Sequence, residues 1–147
     1  MSIMYNVKLT KAQLQALVKA TDLLQRIQIG QWTRIEDHLP LDKPIDYDTL
    51  KTIGEMLSPH LKDNVNGMNS SLGIGHPEVS SDNSVVYDMH CAFRSYLAWE
   101  EAVDQGVVES MSSERKFPDM IGVSYDKPLH WGEEPLPVIE RINDEQA

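Results

Sequence analysis

The stretch from Ser84 to Gln105, SVVYDMHCAFRSYLAWEEAVDQ, limits the folds open to this chain more than any other. Val86, Met89, Phe93 and Leu97 recur at helical spacing and give one apolar face. Asn83 or Ser84 offers a capping oxygen at the start, and Gly106 punctuates the end. A helix this long draws its stability from burying that face, so the rest of the chain is read as what packs around it.

Two further helices are expected. Thr10 followed by Gln13 is a capping-box pattern, and Leu14, Leu17, Val18, Thr21 and Leu24 then keep helical spacing to about Ile29. Gly30 is a stop or a point of close backbone contact. QWTRIEDHL reads as a second helical piece burying Trp32, Ile35 and Leu39, either separate from the first or continuous with it. After PLDKP, Asp48 is placed to cap a helix through Leu50, Ile53, Met56 and Leu57 that ends before Pro59. Strands are expected at two places. IMYNVKL alternates, with Tyr5, Val7 and Leu9 on one side, and MIGVSYD is a candidate to pair with it. The expected fold is therefore α+β, mainly helical with a small antiparallel sheet, in a single domain spanning residues 1–147. Residues 63–82 form a Gly/Asn/Ser-rich loop and residues 133–147 an acidic, proline-bearing arm.

Composition narrows the function. Hydrophobic residues at 41% and charged residues at 24% suit a water-soluble core-forming chain, and no apolar run is long enough for a membrane span. The opening residues lack the layout of a secretory signal and Cys91 is the single cysteine, so a reducing cytoplasm is expected. A net charge of −10 repels the backbone of duplex nucleic acid, which excludes general DNA or RNA binding as an expectation. A compact anion is not excluded, because a few local cations and backbone N–H groups dominate inside a pocket.

Three constellations could recognise such an anion. Tyr87, His90 and Arg94 run along the edge of the long helix's apolar stripe. Arg94 offers a planar, permanently charged fork, His90 a second donor and Tyr87 a ring or a hydroxyl. The same residues equally suit an exposed Arg–Glu helix surface with His90 at the core edge. The loop NGMNSSLGIGHPEV carries Gly67, Gly73 and Gly75 with the donors Asn69, Ser70 and His76. It lacks both a Walker and a dinucleotide signature, so a plain surface loop is its alternative. In RIQIGQW, Arg26, Gln28 and Gln31 cluster around Gly30, as ligand contacts or as the solvated flanks of a helix crossing. No metal or cofactor is expected, since His38, His60, His76, His90 and His130 are scattered and one cysteine cannot supply a zinc set. Nor is catalysis: His90 and Cys91 are adjacent on a helix and point apart, and no carboxylate pair stands out.

The order RIQIGQ, SSLGIGHPEV, VVYDMHCAFRSYLAW and YDKPL resembles small bacteriophage and prophage proteins, most of all the anti-defence sponges that counter the Thoeris system. That resemblance implies a homo-oligomer in the host cytoplasm that binds a cyclic ADP-ribose isomer or cyclic oligonucleotide without cleaving it. It places the late-helix pair on His90 and Arg94 and the loop group on His76 or Asn69. Where it implies a second arginine this chain has His90, whose unperturbed imidazole is mostly neutral at pH 7. From the acidic charge and arm comes an alternative of another class, a protein-interaction module or inhibitor that occupies a basic surface of a host protein.

Overall fold

A computed structural model of the chain describes residues 3–60, 73–77 and 79–142. Among the described residues there are three α-helices: α1 (Lys11–Gln28), α2 (Tyr47–Leu57) and α3 (Ser81–Asp104). Thr10 and Gln13 form the expected capping box of α1. Gly30, at φ 90°, ends that helix, with the Gly30 and Gln31 N–H groups returning to the Ile27 and Arg26 carbonyls. The next residues are a separate 3₁₀ segment, Trp32–His38, which buries Trp32 but leaves Ile35 and Leu39 exposed. Gly106, at φ 71°, closes α3 in the same way, its N–H bonding Val103 and that of Val107 bonding Ala102. Side chains resist this backbone conformation, so Gly30→Ala and Gly106→Ala are each expected to cost about 1 kcal/mol, measurable by thermal melting.

Two caps differ from expectation. Asp46, not Asp48, accepts the Thr49 N–H at 2.9 Å and its hydroxyl at 2.6 Å, so α2 starts two residues earlier. Ser80 caps α3 by accepting the Asn83 N–H at 3.2 Å. Asn83 is thereby released for a tertiary task. Its buried amide donates to the Gln25 carbonyl at 3.0 Å and to Gln28 at 3.1 Å, fastening the start of α3 to the end of α1.

At the opposite ends of these helices, Lys11 pairs with Glu100 and Asp104. The two helices thus pack antiparallel, with Thr21 meeting His90 midway. The other side of α3 is covered by the chain that follows it. Residues 125–132 run back along the helix, from Trp99 Nε1 donating to the Tyr125 carbonyl (3.1 Å), past Ser95 Oγ donating to the Asp126 carbonyl (3.3 Å), to Asp88. There the buried Asp88 carboxylate accepts the Trp131 N–H at 2.9 Å and the Gly132 N–H at 2.7 Å. The chain then returns, and Arg141 reaches Asp104 at 3.2 Å. Beneath the turn after α3, Ala102, Val108 and Met120 form a small apolar cluster flanked by Trp99, Val103, Val107 and Tyr125.

The expected sheet is not formed: the described residues contain helices and turns but no strand. Around residues 120–126 the reason is Arg115. Its Nε donates to the Met120 carbonyl at 2.6 Å and one terminal nitrogen to the Gly122 carbonyl at 3.2 Å, using acceptors that a ladder would need. Gly122 itself, at φ 121°, turns the chain into the 3₁₀ segment Val123–Tyr125, while Met120 is fully buried. Residues 3–9 are exposed throughout and form no strand.

Candidate functional site

α3 carries the candidate site on the side facing residues 123–129. There Tyr87, Cys91 and Arg94, spaced four and three apart, line a recess of about 240 Å³ with Val123, Asp126, Lys127, Pro128 and Leu129. Arg94 is only partly exposed, and its Nε is buried with no hydrogen-bond partner. A buried guanidinium N–H without an acceptor is costly, and an anion in the recess would relieve it. Asp126 is the acid closest to hand, but Arg115 holds its carboxylate in an ion pair. The Arg115 guanidinium also lies over the Phe117 ring, 4.6 Å from its centroid. Arg94 and Lys127 therefore have no ion-pair partner among the described residues.

Protonation states suit binding more than chemistry. Burial pushes the Tyr87 phenol up, with Cys91 adding to the effect, so the hydroxyl keeps its proton and can donate. Burial likewise raises the Cys91 thiol against the opposing pull of Arg94, so it is no thiolate nucleophile at neutral pH. Among the described residues no group of three or more His, Cys, Asp or Glu is arranged to hold a metal ion.

Beyond the strap formed by Asp126, Lys127 and Pro128, a second hollow of about 420 Å³ opens on the same helix. Tyr96, Trp99 and Tyr125 give it an aromatic wall, Leu136, Pro137 and Ile139 an aliphatic one, and Lys127 borders both spaces. Trp99 and Tyr125 stand edge to face with centroids 6.4 Å apart. Small-molecule sites commonly combine apolar walls with a few placed polar groups, at roughly 300–1,000 Å³.

Of the residues expected at a site, Arg94 and Tyr87 are brought together here. His90 is not: it turns the other way, buried against α1, with Nδ1 3.1 Å from the Val18 carbonyl and Nε2 3.6 Å from Asp22. Arg26 is committed to the same interior corner, bonding Asp22 at 2.9 Å and Gln31 at 2.8 Å. His76 lies on the turn at 73–77 and lines neither space; that turn approaches Trp131, whose ring a Cβ on Gly75 would meet at 3.2 Å. Asn69 and Ser70 lie outside the described residues. Lys127 and the aromatic wall were not anticipated. They lie in the turn-rich chain after α3, and the only trace of them is the YDKPL motif.

The His90 corner has a pH signature. Burial lowers the imidazole's pKa below 6.5, outweighing the attraction of Asp22. For Asp22, burial raises the carboxyl but the Arg26 bond and charge outweigh it, leaving it below 3.8. The folded state therefore takes up protons at His90 less readily than the unfolded chain. Stability is full above pH 6.5 and falls as the pH drops through 6.5 toward the lower folded value. His90→Gln is expected to flatten the melting temperature across that window, with Asp22 contributing its own loss only at more acid pH. Thermal melts across the pH range check this.

No protein-family model matches the chain, and neither a curated protein nor a solved structure is similar to it. No helix among the described residues is long and apolar enough to cross a membrane.

Proposed function

We propose that the chain binds a small nucleotide-derived anion, a cyclic ADP-ribose isomer or cyclic oligonucleotide, and holds it without cleaving it. Its effect is to lower the free concentration of that ligand, the role of an anti-defence sponge for a signalling molecule in a phage-infected cell. One observation carries the reading: Arg94, whose buried Nε has no hydrogen-bond partner, lines with Tyr87 and Lys127 a recess whose one acid among the described residues, Asp126, is already paired with Arg115. Phosphate takes the guanidinium and ammonium, and Lys127 leads from that recess to an aromatic wall suited to a planar ring. Nothing further is required of the protein, because tight occupancy alone depletes a signal.

Titration calorimetry with cyclic ADP-ribose, a cyclic dinucleotide, adenosine monophosphate and pyrophosphate tests it, followed by mass spectrometry of the recovered ligand. Heat from at least one nucleotide and its recovery intact are expected. Silence across the panel overturns the binding, and altered ligand overturns the sponge. The charge of −10 supports a second reading, an acidic module that occupies a basic protein surface. Its mark is a stoichiometric protein complex that weakens steeply with salt.

A further inference from the structure

Resting on the nucleotide reading above, we infer that the arm from residue 133 to residue 142 is a gate over the aromatic hollow. It lifts to admit the planar ring of the ligand, closes its apolar side chains over that ring, and so sets how long the ligand stays. The two walls of the hollow differ in origin. Tyr96 and Trp99 stand on α3, and Tyr125 is fastened to it by the bond from Trp99 Nε1 to its carbonyl at 3.1 Å. That wall belongs to the body of the fold. The aliphatic wall of Leu136, Pro137 and Ile139 is supplied by the arm, whose intervening Val138 is 79% exposed.

The arm is tied at its ends and loose between them. Asp88 holds the Trp131 and Gly132 N–H groups, and His130 Nε2 donates to the Glu134 carbonyl at 2.8 Å. At the far end Arg141 pairs with Asp104 at 3.2 Å. From residue 135 to residue 140, no hydrogen bond or ion pair with another described residue is formed. A stretch held only by apolar contacts belongs to the least stable part of a fold, from which moving lids are drawn. Pro135 and Pro137 fix their own φ and restrict Glu134 and Leu136 before them, so the stretch swings as one stiff piece.

The two ties are unequal, and this gives the motion its direction. Asp88 is buried, whereas Arg141 and Asp104 are both exposed, and a surface ion pair is a weak, salt-screened tie. The arm therefore pivots beyond Gly132 and releases at Arg141. A ring between the aromatic and aliphatic walls is removed from water on both faces, and it leaves only when the arm lifts.

Stopped-flow release of adenosine monophosphate and of pyrophosphate tests the gate, since only the first carries a ring. Asp104→Cys with Arg141→Cys, joined by a reducible bis-thiosulfonate linker, locks the arm; Cys91 is buried and stays in place. Release of adenosine monophosphate loaded beforehand is expected to slow about tenfold or more in the locked chain and to recover on reduction. Arg141→Glu in the otherwise unaltered chain is expected to quicken it about threefold, the scale of a surface ion pair, and Arg141→Gln to shift it the same way with the melting temperature of the parent. Pyrophosphate, held in the Arg94 recess alone, is expected to respond to none of these changes. Without ligand, a thiol introduced by Leu136→Cys is expected to be alkylated about threefold faster once Arg141→Glu is added. Nucleotide release indifferent to the lock, pyrophosphate slowed equally, or an alkylation rate unmoved by Arg141→Glu each overturns the gate and leaves the nucleotide reading standing. A chain that binds no nucleotide at all overturns that reading, and the gate with it.

Discussion

Asp88→Ala is expected to be among the most damaging single substitutions in the chain. The carboxylate is buried and accepts the N–H groups of Trp131 and Gly132, which nothing else among the described residues satisfies. Removing it strands two backbone donors and releases the segment that runs along α3. Charge-assisted bonds of this kind place the loss at about 3 kcal/mol, roughly 6–12 °C in melting temperature for a chain of this size. Asp88→Asn keeps the shape but turns an amide donor toward donors, so it recovers only part of the loss. Gly132→Ala probes the contact from the other side, because an added Cβ would lie 3.2 Å from the Asp88 carboxylate and 3.4 Å from the Val85 nitrogen. Calorimetric melting of the three variants checks the order: alanine at 88 lowest, then the two milder changes. If all three melt with the parent chain, the Asp88 latch does not hold the fold.

The second large effect falls on binding rather than stability. Arg94→Ala is expected to weaken retention of any phosphate-bearing ligand about 10- to 100-fold, the range of one or two charge-assisted hydrogen bonds. Arg94→Lys, a point charge without the fork, recovers part of it. Stability should move the other way. With its Nε buried and unpartnered, the guanidinium is a burden on the empty protein, so Arg94→Met is expected to leave the melting temperature unchanged or slightly higher. A methionine variant that binds adenosine monophosphate as the parent does would remove Arg94 from the site. One that unfolds would show that the side chain is structural.

Much of the local architecture was legible beforehand because it depends on neighbours in the chain. The capping box at Thr10 and Gln13, the stop at Gly30 and the close of α3 at Gly106 follow from short-range backbone geometry. The caps of α2 and α3 were misplaced for the opposite reason. Asp48 and Asn83 have the right chemistry, but Asp46 and Ser80 hold the capping positions, and Asn83 is drawn into bonds with α1 some 55 residues away. The sheet failed similarly. Alternation in residues 3–9 and 120–126 supplies strand character but no partner, and Arg115 takes up the backbone acceptors of the second stretch.

Helical spacing placed Tyr87, His90 and Arg94 along one edge of α3, but in the structure His90 is buried against α1 while Tyr87 and Arg94 line the recess. It could not say what stands opposite each of them. α1 lies against His90 and supplies Val18 and Asp22, whereas the strap of residues 125–132 lies against Tyr87 and Arg94 and supplies Lys127. Helix periodicity is a property of the nearest four residues, so a sequence alone determines where the helices of this protein run and which faces are apolar. Which face meets α1, and which meets a returning segment some thirty residues downstream, depends on long-range packing that leaves no periodic trace. Only the tertiary structure decided that the arginine, and not the histidine, would border an open recess.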